Sequence, residues 1–145
     1  MKKLTTKVMI AVAALVVGAG AVSAQPQTTM TAQIPFEFRA GNQVMAPGTY
    51  RVDSLHTSSS TKVFRLLDVN LRRSVVVLPQ AQVNPEKGSA AGRPNLVFAC
   101  SDGRCVLAEL WAGTESYAYA FHRPKLGKDE DAYLRVVPIE RNKSE

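Results

Sequence analysis

The stretch LVFACSDGRCVLAELW, residues 96–111, decides the fold class. Two strand-like runs, Leu96 to Ser101 and Arg104 to Trp111, flank the dipeptide Asp102-Gly103. Asp-Gly suits a two-residue type I′ hairpin, because both central residues must take positive φ. With Asp102 and Gly103 as the loop, Ser101 faces Arg104 and Cys100 faces Cys105. The Ser101–Arg104 pair exchanges ladder bonds, so the cysteines fall at a non-hydrogen-bonded pair, where Cα atoms lie about 4.5 Å apart. That separation is at the short end of the disulfide range. Turn chemistry and cysteine spacing thus point to the same register, with a bridge between Cys100 and Cys105.

Outward from the hairpin, two-residue alternation persists and helical periodicity is hard to find. Ile34 to Arg39 reads as a strand with Phe36 and Phe38 on one face; Pro35 lacks a donor and makes it an edge or bulged strand. Gly41-Asn42 marks a turn. Ala46-Pro47-Gly48 reads as a type II turn, which needs positive φ at Gly48, and it opens into Thr49 to Asp53 with Tyr50 and Val52 inward. His56 to Thr61 is a polar loop. Lys62 to Val69 is expected as a strand in which Val63, Leu67 and Val69 alternate with Phe64 and Leu66. Asn70 turns the chain into a strand from Leu71 to Leu78, ended or bent by Pro79. Residues 84–94 (NPEKGSAAGRP) have loop composition, near the upper length for a segment without structure of its own. Ser116 to His122 places Tyr117, Tyr119 and Phe121 on one face. Arg123 to Asp131 is a polar connection, Ala132 to Glu140 a last strand, and Arg141 to Glu145 a charged tail. About eight short strands with regular turn signals imply an all-β fold, one small antiparallel β-barrel or β-sandwich.

The stretch IPFEFRAGNQVMAPGTYRV, followed downstream by NLVFACSDGRCVLAELW, resembles a widespread group of small, exported, uncharacterised bacterial β-proteins. Their pattern runs I-P-F-x-F, a short gap, P-A-G-x-Y-x-V, and later L-V-F, a hairpin and L-x-x-x-W. Ile34, Pro35, Phe36, Phe38, Pro47, Gly48, Tyr50 and Val52 match the first part, and Leu96, Val97, Phe98, Leu107 and Trp111 the second. Ala46-Pro47 departs from the usual Pro-Ala order, and the C-terminal part matches poorly. The resemblance implies export and a β fold, and no activity.

The N-terminus reads as a secretory signal. Lys2, Lys3 and Lys7 precede an unbroken apolar run from Val8 to Val17, and Val22-Ser23-Ala24 puts small residues at −3 and −1 of a cut before Gln25. A spanning helix needs about 20 apolar residues, and this stretch reaches that only by including Gly18, Gly20 and Ser23. Residues 1–24 are therefore expected as a signal peptide and 25–145 as a single β domain, periplasmic or secreted. Of the 18 basic residues three lie in the signal and none of the 12 acids do, which leaves +3 on the remainder. The arginines are scattered, without the clustered stripe and interleaved aromatics of a nucleic-acid binder. An envelope polysaccharide, lipid or protein is a better partner class.

Chemistry-bearing motifs are few. Two cysteines make at most half a zinc site, and Cys-x₄-Cys is not the Cys-x-x-Cys redox spacing. His56 and His122 have no ligand-like neighbours, and neither a serine-hydrolase elbow nor a phosphate-cradling glycine loop is present. No catalytic residue, metal site or cofactor is expected. Strict alternation puts Glu109 on the Cys105–Leu107–Trp111 face, and Trp111 is expected to be mostly buried. Three function classes follow: a non-catalytic envelope or secreted interaction module, a small-ligand carrier, and an enzyme whose site the sequence does not display. A carrier would gather Phe36, Phe38, Tyr50, Glu109, Trp111, Tyr117 and Tyr119 around an open cavity; a simple module would pack its aromatics against one another. Intact mass should show the exported form beginning at Gln25, and a mass that retains residues 1–24 contradicts the signal reading.

Overall fold

The computed structural model describes residues 29–85, 93–124 and 132–142. Among them the chain forms eleven strands and no helix. These are β1 (Met30–Ile34), β2 (Phe38–Ala40), β3 (Gln43–Met45), β4 (Gly48–His56), β5 (Lys62–Asp68), β6 (Ser74–Val77), β7 (Ala81–Val83), β8 (Asn95–Ser101), β9 (Arg104–Trp111), β10 (Ala118–Ala120) and β11 (Tyr133–Arg141). They join in one sheet, β3-β2-β9-β8-β11-β1-β4-β5-β6, which curls into a nearly closed barrel. Every pairing is antiparallel except one contact of β2 with β9, at Arg39 and Val106. The segment expected as a signal, 1–24, lies outside the described residues, within which no helix is long and apolar enough to cross a membrane.

Closure depends on two strands that do not run straight through the ladder. The free edge of β9 is divided, with β2 at Val106 and β10 at Glu109 and Leu110. Beyond β6 the chain turns a corner at Pro79 and re-enters as β7, which pairs with β10. A backbone bond from Gln80 to the Ala120 carbonyl, 2.8 Å, holds that corner. Across the remaining gap the β2–β3 turn reaches β6, where a Cβ on Gly41 would sit 4.0 Å from Val75. The short β7 is absent from the sequence expectation, because Ala81-Gln82-Val83 carries no run long enough to signal a strand.

The β8–β9 hairpin forms in the expected register. Asp102 and Gly103 take φ of 50° and 74°, the two positive values of a type I′ turn. Ser101 pairs with Arg104 and Cys100 with Cys105; the cysteine Cα atoms are 4.1 Å apart and the sulfurs lie at disulfide distance. Higher up, a bulge between Val97 and Phe98 changes the parity: Phe98 pairs with Leu107 but Val97 with Glu109, leaving Ala108 as the extra residue. Leu110 therefore joins Cys105 and Leu107 in the core. Glu109 and Trp111 move to the opposite face and are half-buried, which corrects the expected face of both and leaves Trp111 outside the core cluster. β8 itself is buried along its whole length, on both faces.

Side chains fill the interior. Phe36 and Phe38 each stand edge-on against Phe98, at 5.1 and 5.2 Å, and Tyr50 stands edge-on against Phe38 at 5.2 Å. Nearer the other end Phe64 packs on Tyr119 at 4.9 Å and on Phe121 at 6.1 Å. Such pairs add roughly 0.5–1.5 kcal/mol each beyond the area they bury. The Tyr50 hydroxyl donates to the Ala46 carbonyl at 2.5 Å, tying the entry to β4 as a tyrosine corner ties a sandwich. Burial, then the charge of Asp68 across the ladder, pushes the phenol up to about 12. On the outer surface Asp53, 4% exposed, takes Arg65 at 2.6 Å and Arg51 at 3.2 Å, so two of the scattered arginines are engaged.

Other boundaries differ from the sequence expectation for local reasons. Pro35 ends β1, and β2 begins only at Phe38. Gly48 does not take positive φ; it pairs with Ile34 as the first rung of β1–β4, which demands extended backbone and excludes the type II turn. The strand expected from Leu71 begins at Ser74, because Asp68 Oδ1 accepts from the amides of Asn70 and Leu71 and winds the chain into a turn. Val69 is consequently outside β5 and exposed. Ser116 to His122 contributes only Ala118–Ala120 as strand, though Tyr119 and Phe121 do face the core. The loop 84–94 and the connection 123–131 lie largely outside the described residues.

Cys100→Ala/Cys105→Ala should fold but melt lower, since a six-residue ring contributes about 2 kcal/mol by chain entropy. Thiol titration of the unfolded, unreduced protein should find none, and two per chain would exclude the bridge. For Tyr50 the folded value lies above the ordinary 10.0. Its contribution is complete below pH 10 and is lost as pH rises towards 12. Alkaline melts should therefore show a stability loss in that window which Tyr50→Phe lacks, at a neutral-pH cost of about 1 kcal/mol for the missing hydrogen bond.

Candidate functional site

The inward face changes character at one end of the barrel, the end that carries the β4–β5 loop. Tyr50, Val52 and Phe64 are sealed in the core, but the last rung of that ladder pairs His56 with Lys62. The inward apolar alternation ends at Val52 on β4, where Ser54 and His56 follow, and at Phe64 on β5, where Lys62 precedes it, and a polar mouth results. Across from this rung, β10 supplies Tyr119, and its Cα partner on β7 is Gln82.

Glu115 reaches the mouth from the segment between β9 and β10, which three contacts hold in place. Trp111 Nε1 donates to the Glu115 carbonyl at 2.8 Å. Arg141 donates to the Ala112 carbonyl. Gly113 has φ 76°, and a Cβ there would lie 3.2 Å from the Pro94 ring, so a larger residue would be strained and crowded at once. The half-buried indole of Trp111, read in sequence as core, thus serves to position this loop.

Lys62 Nζ lies 2.9 Å from Glu115 Oε1 and donates to the Tyr119 hydroxyl at 3.2 Å. It also lies 5.2 Å from the Tyr119 ring centroid. The Tyr119 hydroxyl donates in turn to that of Tyr117 at 3.4 Å. Burial works against the Glu115 carboxylate, but hydrogen bonding from Lys62 and the tyrosines, with the ammonium charge, outweighs it and holds its pKa below the ordinary value. Burial, with hydrogen bonding to Tyr117 and Glu115, raises the Tyr119 phenol far above its ordinary range. At neutral pH Glu115 is therefore a carboxylate and Tyr119 an un-ionised phenol. Neither shift brings a group towards neutrality, where a general acid or base works best.

Above this network opens a cleft of about 600 Å³, walled by His56, Ser60 and Thr61 on one side and by Gln80 and Gln82 on the other. The β4–β5 loop is braced by its own hydroxyls, Thr57 to Ser59 at 2.9 Å and Ser59 to Thr61 at 3.2 Å. A second, smaller and more enclosed groove of about 400 Å³ lies at the opposite end, between the β2–β3 hairpin and β9, with Arg39, Val44, Arg104 and Pro124 in its walls. Among the described residues no group of three or more His, Cys, Asp or Glu could hold a metal ion.

Of the seven residues expected to face a ligand, Tyr117 and Tyr119 line the mouth. Phe36, Phe38 and Tyr50 pack in or against the aromatic core, Glu109 lies on the outer face, and Trp111 acts on the mouth only through the Glu115 loop. His56 stands at the mouth and His122 beyond β10, so the histidines do not meet. Lys62, Glu115 and Gln82 were not legible as site residues. Their positions are 62, 115 and 82, and none carries a local motif. No protein-family model, curated protein or solved structure matches the chain.

The Glu115 carboxyl, held below its ordinary value of 4.5, stabilises the fold fully above that pH and loses the contribution as pH falls through its lowered value. Wild type should therefore melt above Glu115→Gln at pH 7, with the difference shrinking steadily below pH 4.5. A difference independent of pH would mean that the Lys62 pair contributes nothing through charge.

Proposed function

We propose that this chain is an exported, non-catalytic interaction module of the envelope or extracellular space, and that it engages its partner through the polar mouth of a filled barrel. The observation that carries this reading is the state of the interior. Phe36, Phe38, Tyr50 and Phe98 pack edge-on against one another, whereas a lumen carrier needs them to surround space. Small barrels are filled in this way unless they hold one ligand. The titrating groups of the mouth also favour binding over proton transfer, since Glu115 and Tyr119 are shifted in the directions that keep their neutral-pH states fixed. Export is supported by the leader-like N-terminus and by the cysteine pair at disulfide distance, which an oxidising compartment preserves.

The reading is tested by co-sedimentation of the exported protein with insoluble envelope material, alongside native mass spectrometry of the purified chain. The expected result is a chain with no retained small molecule that sediments with the envelope fraction. Gln82→Ala should weaken sedimentation and Arg104→Ala, in the opposite groove, should not. A tightly held small molecule would instead favour the carrier, and absence of sedimentation would overturn the module.

A further inference from the structure

The mouth also has a chemical preference. We infer that its ligand is an uncharged, hydroxyl-rich ring compound, a neutral saccharide, bound between the Gln80–Gln82 wall and the Ser60–Thr61 loop. This rests on the proposed interaction function and names the ligand class.

Charge argues first. Among the described residues the only Lys, Arg, Asp or Glu side chains in the lining are Lys62 and Glu115, and they neutralise each other at 2.9 Å. An anionic ligand would have to compete with Glu115 for the ammonium, and a cationic one with Lys62 for the carboxylate. Both would break an existing pair in a partly desolvated site, which is costly when one partner is left behind. The opposite groove, where Arg39 and Arg104 outnumber Glu37, offers anions a better place.

The remaining lining is suited to hydroxyls. Gln82 and Gln80 present amides that donate and accept, and Ser60 and Thr61 present hydroxyls that do the same. Gln82 is the Cα partner of Tyr119, so register places it beside the tyrosine network. Tyr117 stands edge-on to Tyr119 at 5.4 Å and is half-buried, leaving part of its ring for the less polar face of a sugar. The site is prepared in advance: backbone and hydroxyl bonds brace the 57–61 loop, and Gln80 is tied through its amide to β10. A volume of about 600 Å³ is within the range of small-ligand clefts.

The test titrates the exported chain with cellohexaose, maltohexaose and chitohexaose, and with hexagalacturonate as the anionic counterpart, by calorimetry and amide-resonance mapping. At least one neutral hexasaccharide should bind, with shifts confined to residues 56–62, 80–83 and 115–119. Gln82→Ala, at an exposed position, and Tyr117→Ala, at a half-buried one, should each weaken binding about tenfold with the fold retained by circular dichroism, while Arg104→Ala leaves it unchanged. Three results overturn the inference: no neutral sugar perturbs the mouth at millimolar concentration, hexagalacturonate is preferred, or the shifts centre on Arg39 and Arg104. If envelope sedimentation persists without oligosaccharide binding, the saccharide fails and the module stands; if both are lost, both fail.

Discussion

Phe98 lies in the barrel core with Phe36 and Phe38 edge-on against it, and Tyr50 of β4, a strand not adjacent to β2, packs on Phe38. A barrel this narrow has room for side chains or for a small guest, and here the rings take the space. The positions of β2, β4 and β8 are coupled through these contacts, because moving any one strand opens a void beside a ring. Large aromatic truncations in such cores cost about 3–5 kcal/mol. With these rings packed across the interior, clefts open at the two ends of the barrel.

Closing the wall around that core requires departures from regular pairing. β9 divides its edge between β2 and β10, and the bulge at Ala108 brings Leu110 into the core while turning Trp111 outwards. Bulges commonly occur where a barrel needs extra bend or a side chain needs re-aiming. Here both follow: Trp111 leaves the core and its indole nitrogen takes the Glu115 carbonyl. A packing requirement on β9 thereby sets the place of a carboxylate at the mouth, and through it the Lys62–Tyr119–Tyr117 network.

Much of the fold was legible in short range. The Asp102-Gly103 turn, the Cys100–Cys105 register, the Gly41-Asn42 turn and the inward faces of Tyr50, Tyr119 and Phe121 follow from alternation and turn chemistry over a few residues. The expectation failed where a distant strand supplied a pairing partner, and once where a short-range side-chain bond wound a turn. Gly48 was drawn into the β1 ladder, Asp68 used its carboxylate to wind the turn that was expected as strand, and β7 exists because β10 offers it an edge. The site was less legible than the fold. Tyr117 and Tyr119 could be picked out as aromatics on one face, but Lys62 and Glu115 are 53 residues apart and nothing local links them.

By itself the sequence determined the class of wall: β-branched and aromatic residues at period two, with positive-φ residues where hairpins turn. Those are properties of neighbouring residues, set by backbone sterics and by which side of a strand each Cβ occupies. Only the tertiary structure decided barrel over sandwich, the parity of β9 beyond Ala108 and the meeting of Lys62, Glu115, Tyr117 and Tyr119. Each of those depends on ring closure, in which strands distant in sequence must share one circumference and one interior volume. A pattern read along the chain carries no information about that shared volume until the ring has closed.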